Sequence, residues 1–290
     1  MTTRKPIAVG TDDSARSQAA VLWAAGRAER AGLPLVIVHV VDDRWVAEPY
    51  PFIGVLEEAG GKLLDSAALR VQDAFSIPVS TQLLTGSVGG QLAEFSGKAS
   101  MVVVGSGGFH LGGTLADRAL QVAASSEVPV AVVGTQNLEG RSGVVVGVDG
   151  SRESTQAVAF AAAEADREGE QLTVLYAVRA PDPVVDAGLT PGSLAGHVVE
   201  EERLVLSEVV AGLREDYPDL RVDQVLDTGK GPVESLVDAA AQARMLVVGS
   251  RGRGGIKRLL LGSTAHGVLK HLPCPTVITR IQQSKLRIQG

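Results

Sequence analysis

Residues 249–264 read Gly-Ser-Arg-Gly-Arg-Gly-Gly-Ile-Lys-Arg-Leu-Leu-Leu-Gly-Ser-Thr. Glycines let a backbone approach an anion closely. Gly262-Ser263-Thr264 leads into a helical pattern whose first N–H groups and dipole favour phosphate. Arg251, Arg253, Lys257 and Arg258 add positive charge, and the stretch holds no acid. The chemistry this suits is capture of a phosphorylated ligand. A basic, glycine-rich surface turn has the same composition, so these residues alone leave both readings open. Two familiar phosphate signatures are excluded by spacing. G-x-G-x-x-G needs glycine at 257 after Gly252 and Gly254, where Lys257 stands, and no Walker A string occurs.

Other reactive types are less promising. Asp12 and Asp13 are adjacent, so their side chains diverge and an acid–base dyad is not expected. His266 and His271 are five apart on a predicted helix, off one face, so with Cys274 they do not make a metal site. Cys274 beside Pro275 and Trp23 among Ala19, Ala20 and Arg27 suit core packing. No Ser/His/Asp order demands a hydrolase, and no catalytic residue is assigned.

The chain that must position the loop has 290 residues and a net charge of −6. Its pI near 5.5 argues against sequence-independent nucleic-acid binding, which needs a net basic face. One cysteine can form no internal disulfide. The N-terminus enters an apolar segment without a signal-peptide core, and no window approaches a membrane span, so a cytoplasmic protein is expected. Aromatics make up 3%, while there are 34 glycines and much Val and Ala. Such a core suits doubly covered parallel strands under Ala-rich helices.

The sequence repeats once. Ile7-Ala8-Val9-Gly10-Thr11-Asp12-Asp13-Ser14 returns 137 residues later as Val144-Val145-Val146-Gly147-Val148-Asp149-Gly150-Ser151. Met101-Val102-Val103-Val104-Gly105-Ser106 returns at 245–250, and Val128-Pro129-Val130 is echoed by Cys274-Pro275-Thr276. Ordered matches with drifting offsets indicate duplication of a whole domain, at 1–140 and 141–290 about a linker at 138–143.

Alternating apolar runs and helical patterns predict an α/β fold. Strands are expected near 6–10, 34–41, 79–84, 101–105 and 129–133, with helices near 14–31, 55–75, 88–99 and 114–125. The second half gives strands near 143–148, 171–178, 221–226, 245–249 and 276–281, and helices near 151–168, 195–215, 232–243 and 263–271. Long Pro/Gly-bearing segments at 42–54 and 179–196 read as lids; Trp45 and Tyr50 there suit covering either a ligand or a partner. Open sheets of this kind bind ligands beyond the carboxyl ends of their strands, after strands one and four here. The halves can pair through edge strands as an internal pseudo-dimer, and chains can associate again as a homodimer. The tail at 282–290 suits either a frayed end or a partner strand.

Gly249-x2-Gly252-x9-Gly262-Ser263 resembles the ATP-binding signature of the universal stress protein family, G-x2-G-x9-G-S/T. The resemblance extends over both halves through V-G-x-D-x-S and the Pro-containing entry to strand five. It implies two tandem Rossmann-like (adenine nucleotide alpha hydrolase-like) domains, each an open five-stranded parallel sheet, and ATP, with or without Mg2+, as ligand. Carried over, Val148 and Asp149 would lie by the adenosine, the Ala177 backbone by adenine, and Gly249, Arg251 and Gly252 by ribose and phosphates. Gly262, Ser263 and Thr264 would hold the phosphate tail. The first half keeps Thr11, Asp12, Val40, Gly105 and Gly108, but nine residues past Gly108 it has Arg118-Ala119, so ATP binding there is expected to be weak or absent. The implied function is a nucleotide-dependent regulatory module in stress responses, with unidentified protein partners and little or no turnover. The competing class is an enzyme of the same nucleotide fold: a slow ATPase, or an adenylating or ATP-pyrophosphatase enzyme. These last two need a Ser-Gly-Gly-x-Asp-Ser loop where Gly147-Val148-Asp149-Gly150-Ser151 stands.

Overall fold

A computed structural model describes residues 4–43, 53–107, 116–178, 193–252 and 261–280. The first half runs β1 (Ile7–Gly10), α1 (Ala15–Ala31), β2 (Leu35–Val41), α2 (Ile53–Ala74), β3 (Val79–Thr85), α3 (Val88–Phe95), β4 (Met101–Gly105), α4 (Ala116–Ser125) and β5 (Val130–Val133). The second repeats it: β6 (Val144–Val148), α5 (Arg152–Glu168), β7 (Leu172–Ala177), α6 (Ser193–Asp216), β8 (Val222–Asp227), α7 (Pro232–Ala239), β9 (Met245–Gly249), α8 (Ser263–His271) and β10 (Thr276–Thr279). Every expected element is present. The two short helices α3 and α7 end earlier than their patterns predict, because each tightens into a 3-10 turn, at 96–98 and 240–242. The two proposed lids fall largely outside the described residues, as do Trp45, Tyr50 and the tail from 281.

Among the described residues ten strands form one sheet in the order β3-β2-β1-β4-β5-β10-β9-β6-β7-β8. Within each half every pairing is parallel, and the chain reverses direction across the sheet between β1 and β4 and again between β6 and β9. These gaps are the switch points. Apolar residues at alternate strand positions face opposite layers, so Ile7 and Val9 join one core and Ala8 the other. Each core runs through both halves. Trp23 packs against the first of them.

Helix ends follow their sequence signals. Ser14 and Ser151 cap α1 and α5 by accepting from Ser17 N and Ser154 N, and Gly32 and Gly169 close them in the left-handed conformation. Ala20, Ala24 and Ala28 lie wholly buried on one stripe of α1, as do Ala157, Ala161 and Ala165 on α5. Small side chains let both helices sit close to the sheet.

The halves meet where β5 and β10 run antiparallel, with Ala131 opposite Val277. These two are the same repeat position, so a pseudo-twofold axis passes between them. A second equivalent pair lies on that axis. Arg27 of α1 and Glu164 of α5, 137 residues apart, make a buried two-pronged ion pair, with Arg27 Nη2 donating to Glu164 Oε1 at 2.9 Å. Arg27 Nε also reaches Met101 Sδ at 3.2 Å and the guanidinium lies 5.6 Å from the Phe160 ring centre. Burial pulls the Arg27 pKa down while Glu164 pushes it back up. Arg167 donates to Glu164, Arg30 pairs with Glu168, and Arg280 donates to the Ala124 carbonyl across the same boundary.

Candidate functional site

At the second switch point the ends of β6, β7 and β9 and the starts of α5, α7 and α8 enclose a cavity of about 360 Å³. It is lined by Val148, Asp149, Ala177, Gly249, Arg251, Gly252, Gly262, Ser263 and Thr264. Three chain segments separated by up to 116 positions thus converge on one space. Ser154, Pro232 and Leu236 line it as well, and spacing did not reveal them: the latter two come from α7, which packs beside α8 on the same face of the sheet.

Glycine is required where backbones meet. A Cβ at Gly249 would stand 3.0 Å from the Glu153 carbonyl carbon, so the end of β9 lies directly on the first turn of α5. The same contact recurs in the first half, where a Cβ at Gly105 would stand 2.8 Å from the Arg16 carbonyl carbon. A Cβ at Gly252 would lie 2.1 Å from Asp149 Oδ2. The other Asp149 oxygen accepts from Ser151 N at 2.9 Å, so the carboxylate braces the α5 cap with one oxygen and turns the other to the glycine loop. Bracing the cap thus leaves Asp149 among the residues that line the cavity.

Gly262 is the N-cap of α8, with φ −71° and no side-chain cap bond, so Ser263 is the first helical residue rather than a cap. Gly262 N donates to Ser250 O at 2.8 Å, which pins the turn to the end of β9. A glycine N-cap leaves the first-turn N–H groups without a capping side chain, and they open onto the cavity that Ser263, Thr264 and Ala265 line. Arg251 stands 3.6 Å from Glu153. Arg280 lies near enough that burial and the like charge of Arg251 both lower its pKa. Arg253, Lys257 and Arg258 fall outside the described residues.

The first switch point holds a smaller cavity of about 220 Å³. Thr11, Asp12, Val40 and Gly105 line it; Gly108 lies outside the described residues. Arg16, His39, Asp42 and Arg118 join them. Burial pushes the Asp12 pKa up, but hydrogen bonds from Ser14, Ser17 and neighbouring amides outweigh it and hold the carboxyl below its ordinary value. Ser14 Oγ donates to Asp12 Oδ1 at 2.6 Å. Asp13 turns away, with φ 61°, and pairs with Arg70 at 2.7 Å, so the two adjacent carboxylates do not act together. His39 Nδ1 donates to Thr11 O at 2.7 Å.

Helix register changes one expectation. Counting nine residues from Gly108 sets Arg118-Ala119 against Gly262-Ser263. Yet α4 and α8 both end four residues before the proline of the next strand, at Ser125 and His271. Ala116, Asp117 and Arg118 therefore stand opposite Gly262, Ser263 and Thr264, and the first loop is two residues shorter. Glycine is still missing from the phosphate turn, and an acid takes the place of the serine.

Elsewhere, Cys274 is buried and its thiol is pushed up to about 12, chiefly by burial. His271 Nδ1 bonds the Gly267 carbonyl within α8. Among the described residues no cluster of three metal-type side chains is present, and no helix is long and apolar enough to cross a membrane.

Fold and cavities define a class: a duplicated α/β protein with a ligand-sized cleft at the switch point of each half. The sequence profile of the universal stress protein family matches residues 3–134 and 141–280, and the chain belongs to that family. It is 35% identical over 292 aligned residues to Universal stress protein Rv2005c of Mycobacterium tuberculosis, covering 94% of this chain and 96% of the relative. A universal stress protein of Mycolicibacterium smegmatis is 33% identical, with 96% and 98% covered. The crystal structure of a universal stress protein from Archaeoglobus fulgidus shares the fold, with TM-score 0.72 at 18% identity over 96% of this chain and 97% of that one.

Proposed function

We propose that this universal stress protein binds one ATP per chain in the second-half cavity and works in the cytoplasm as a nucleotide-dependent regulatory module with little or no turnover. The observation that carries this reading is the convergence of Asp149, Ala177, Gly249, Gly252 and the uncapped Gly262-Ser263-Thr264 turn on one cavity. The residues fit the nucleotide by chemistry. The Asp149 carboxylate suits ribose hydroxyls, the Ala177 backbone at the end of β7 suits a base edge, and the first turn of α8 suits phosphate. ATP would supply charge and bulk that tie β9, α5 and α8 together. Any Mg2+ would travel on its phosphates, since Asp149 is the one carboxylate lining the cavity among the described residues. No group among the lining residues resembles a poised nucleophile or general base.

The test is to purify the chain, denature it, and identify and count the released ligand by mass spectrometry. About one ATP per chain is expected, lost in Gly262→Asp and retained in Arg118→Ala. Aspartate is a good N-cap residue, so that variant keeps α8 while setting a negative charge at the phosphate turn. Turnover measured on the same sample separates the readings: rapid Mg2+-dependent hydrolysis or AMP release would make the protein an enzyme. Two ATP per chain would overturn the asymmetry.

A further inference from the structure

Two contacts hold the halves together, and they differ in what they can discriminate. Along the β5–β10 seam, Val132 faces Thr276, Ala131 faces Val277 and Val130 faces Ile278. All six side chains are buried and none is charged. Either strand would meet a copy of itself about as well, so the seam supplies adhesion without choice.

Choice lies where α1 meets α5. Among the described residues the ion pairs that cross this boundary run one way: both cations, Arg27 and Arg30, belong to α1, and both acids, Glu164 and Glu168, to α5. Arg30 and Arg167 are the same repeat position. Two α1 faces would therefore set four guanidinium groups against one another, and two α5 faces four carboxylates around two arginines. The side chains of Arg27 and Glu164 are only 8% and 3% exposed, so water cannot screen the repulsion. An uncompensated charge at such depth is strongly destabilising, whereas a buried pair replaced by apolar groups is often neutral. The distinctive consequence of this pair is discrimination.

We propose that α1 and α5 form a two-part address: the first half accepts only a surface of the second-half type, and its partner in trans is the second half of another copy of this chain. The seam attracts and the like charges reject, which together make a specific interface. Residues 134–143 join β5 to β6 and span about 35 Å when extended, so a half can reach a neighbouring molecule. Copies that associate along this seam do so by reciprocal exchange of halves, which forms the Arg27–Glu164 pair twice, and not by joining like halves.

Two full-length variants turn the address against closure within a chain. Arg27→Glu leaves two carboxylates on the axis, and Glu164→Arg two guanidinium groups. Exchange of halves between these two chains restores a complementary pair in both units. Co-expressed with different tags and weighed by native mass spectrometry, they are expected to form a 1:1 assembly in about tenfold excess or more over either self-assembly. Rescue of singly insoluble chains by co-expression supports the proposal equally. The chain carrying both substitutions gives a second measurement, independent of how the single variants fold. It is expected to match wild type in assembly state and not to exchange halves with it, since each crossed unit would bury like charges. Single variants that each close as wild type does and ignore one another would overturn the proposal. So would mixed and self-assemblies in equal amounts, free exchange between the doubly substituted chain and wild type, or failure of the doubly substituted chain to fold. A co-expressed pair that yields no soluble assembly beside a folded doubly substituted chain would overturn it as well.

Discussion

The two halves share a skeleton and differ in what they attach to it. Gly105 and Gly249 both end their strands on the backbone of a capped helix, and Ser14 and Ser151 both supply that cap. Those positions are set by backbone geometry, which neither half can change without opening the sheet. Residue types at and near the strand ends diverge: Arg16 against Glu153, His39 against Tyr176, Ala116-Asp117 against Gly262-Ser263. The third kind of position, on the pseudo-twofold axis, diverges in a complementary sense. A symmetric pair of identical domains would put the same residue against itself there. Duplication in one chain allows Arg27 to face Glu164 instead, so opposite charges meet where a homodimer would bury like ones.

Making the halves alike on the axis gives the largest effect. Glu164→Arg would bury two guanidinium groups face to face, and removing one partner of a buried pair commonly costs about 3–5 kcal/mol. Denaturant unfolding is the measurement. The exchanged chain Arg27→Glu with Glu164→Arg is expected to recover much of the loss, although Phe160 and Met101 remain placed for an arginine on α1. A single variant as stable as wild type would show that the axis does not depend on charge complementarity.

Strand ends come next. Gly249→Ala sets a Cβ against the immobile backbone of α5, and overpacking of this kind costs about 1–3 kcal/mol. Gly105→Ala faces the equivalent backbone and is expected to cost about as much. The two should part company in binding: Gly249→Ala loses ATP and Gly105→Ala keeps it. Loss of ATP in both would mean that one half serves the other's site.

The architecture was legible because its signals are local and repeated. Buried Val/Ile runs, serine caps and the V-G-x-D repeat located every strand and helix, and the axis then follows from edge-strand pairing. Gly249-x2-Gly252-x9-Gly262 held enough spacing to bring the second cavity's residues together. What stayed hidden came from a helix outside the motifs or from a loop of different length. Pro232 and Leu236 reach the cavity on α7, and no motif links them to Asp149. The Arg118 register was two residues out because a count through the loop cannot see a deletion, whereas the equal helix ends can. Arg27 and Glu164 each read as an ordinary charged helix residue until the fold places them opposite one another.

Conversion of the first half sharpens the comparison at its ligand end. Ala116→Gly, Asp117→Ser and Arg118→Thr together rebuild the Gly262-Ser263-Thr264 turn on α4. Mass spectrometry of released ligand is expected to move from about one ATP per chain towards two, with ATP affinity of the first site rising at least about tenfold, the worth of one charge-assisted contact. An unchanged count would place the discrimination in the shorter loop rather than in the turn.

The smallest effect concerns the caps. Ser14→Ala and Ser151→Ala should each cost about 1 kcal/mol, the usual worth of a serine N-cap. Ser14→Ala should also move the titration of Asp12. Ser14 donates to Asp12 through both its hydroxyl and its amide. Without the Ser14 hydroxyl, burial regains weight and the Asp12 pKa rises. The sign for stability follows from its present lowering: Asp12 contributes above its unfolded value of 3.8, and that contribution is lost as pH falls through the still lower folded value. Ser14→Ala should therefore lose stability relative to wild type more at neutral pH than at pH values below both. Carboxyl-carbon NMR titration of Asp12, read beside unfolding curves at several pH values, checks both parts. An Asp12 titration unmoved by Ser14→Ala would assign the lowered pKa to the backbone amides and Ser17 instead.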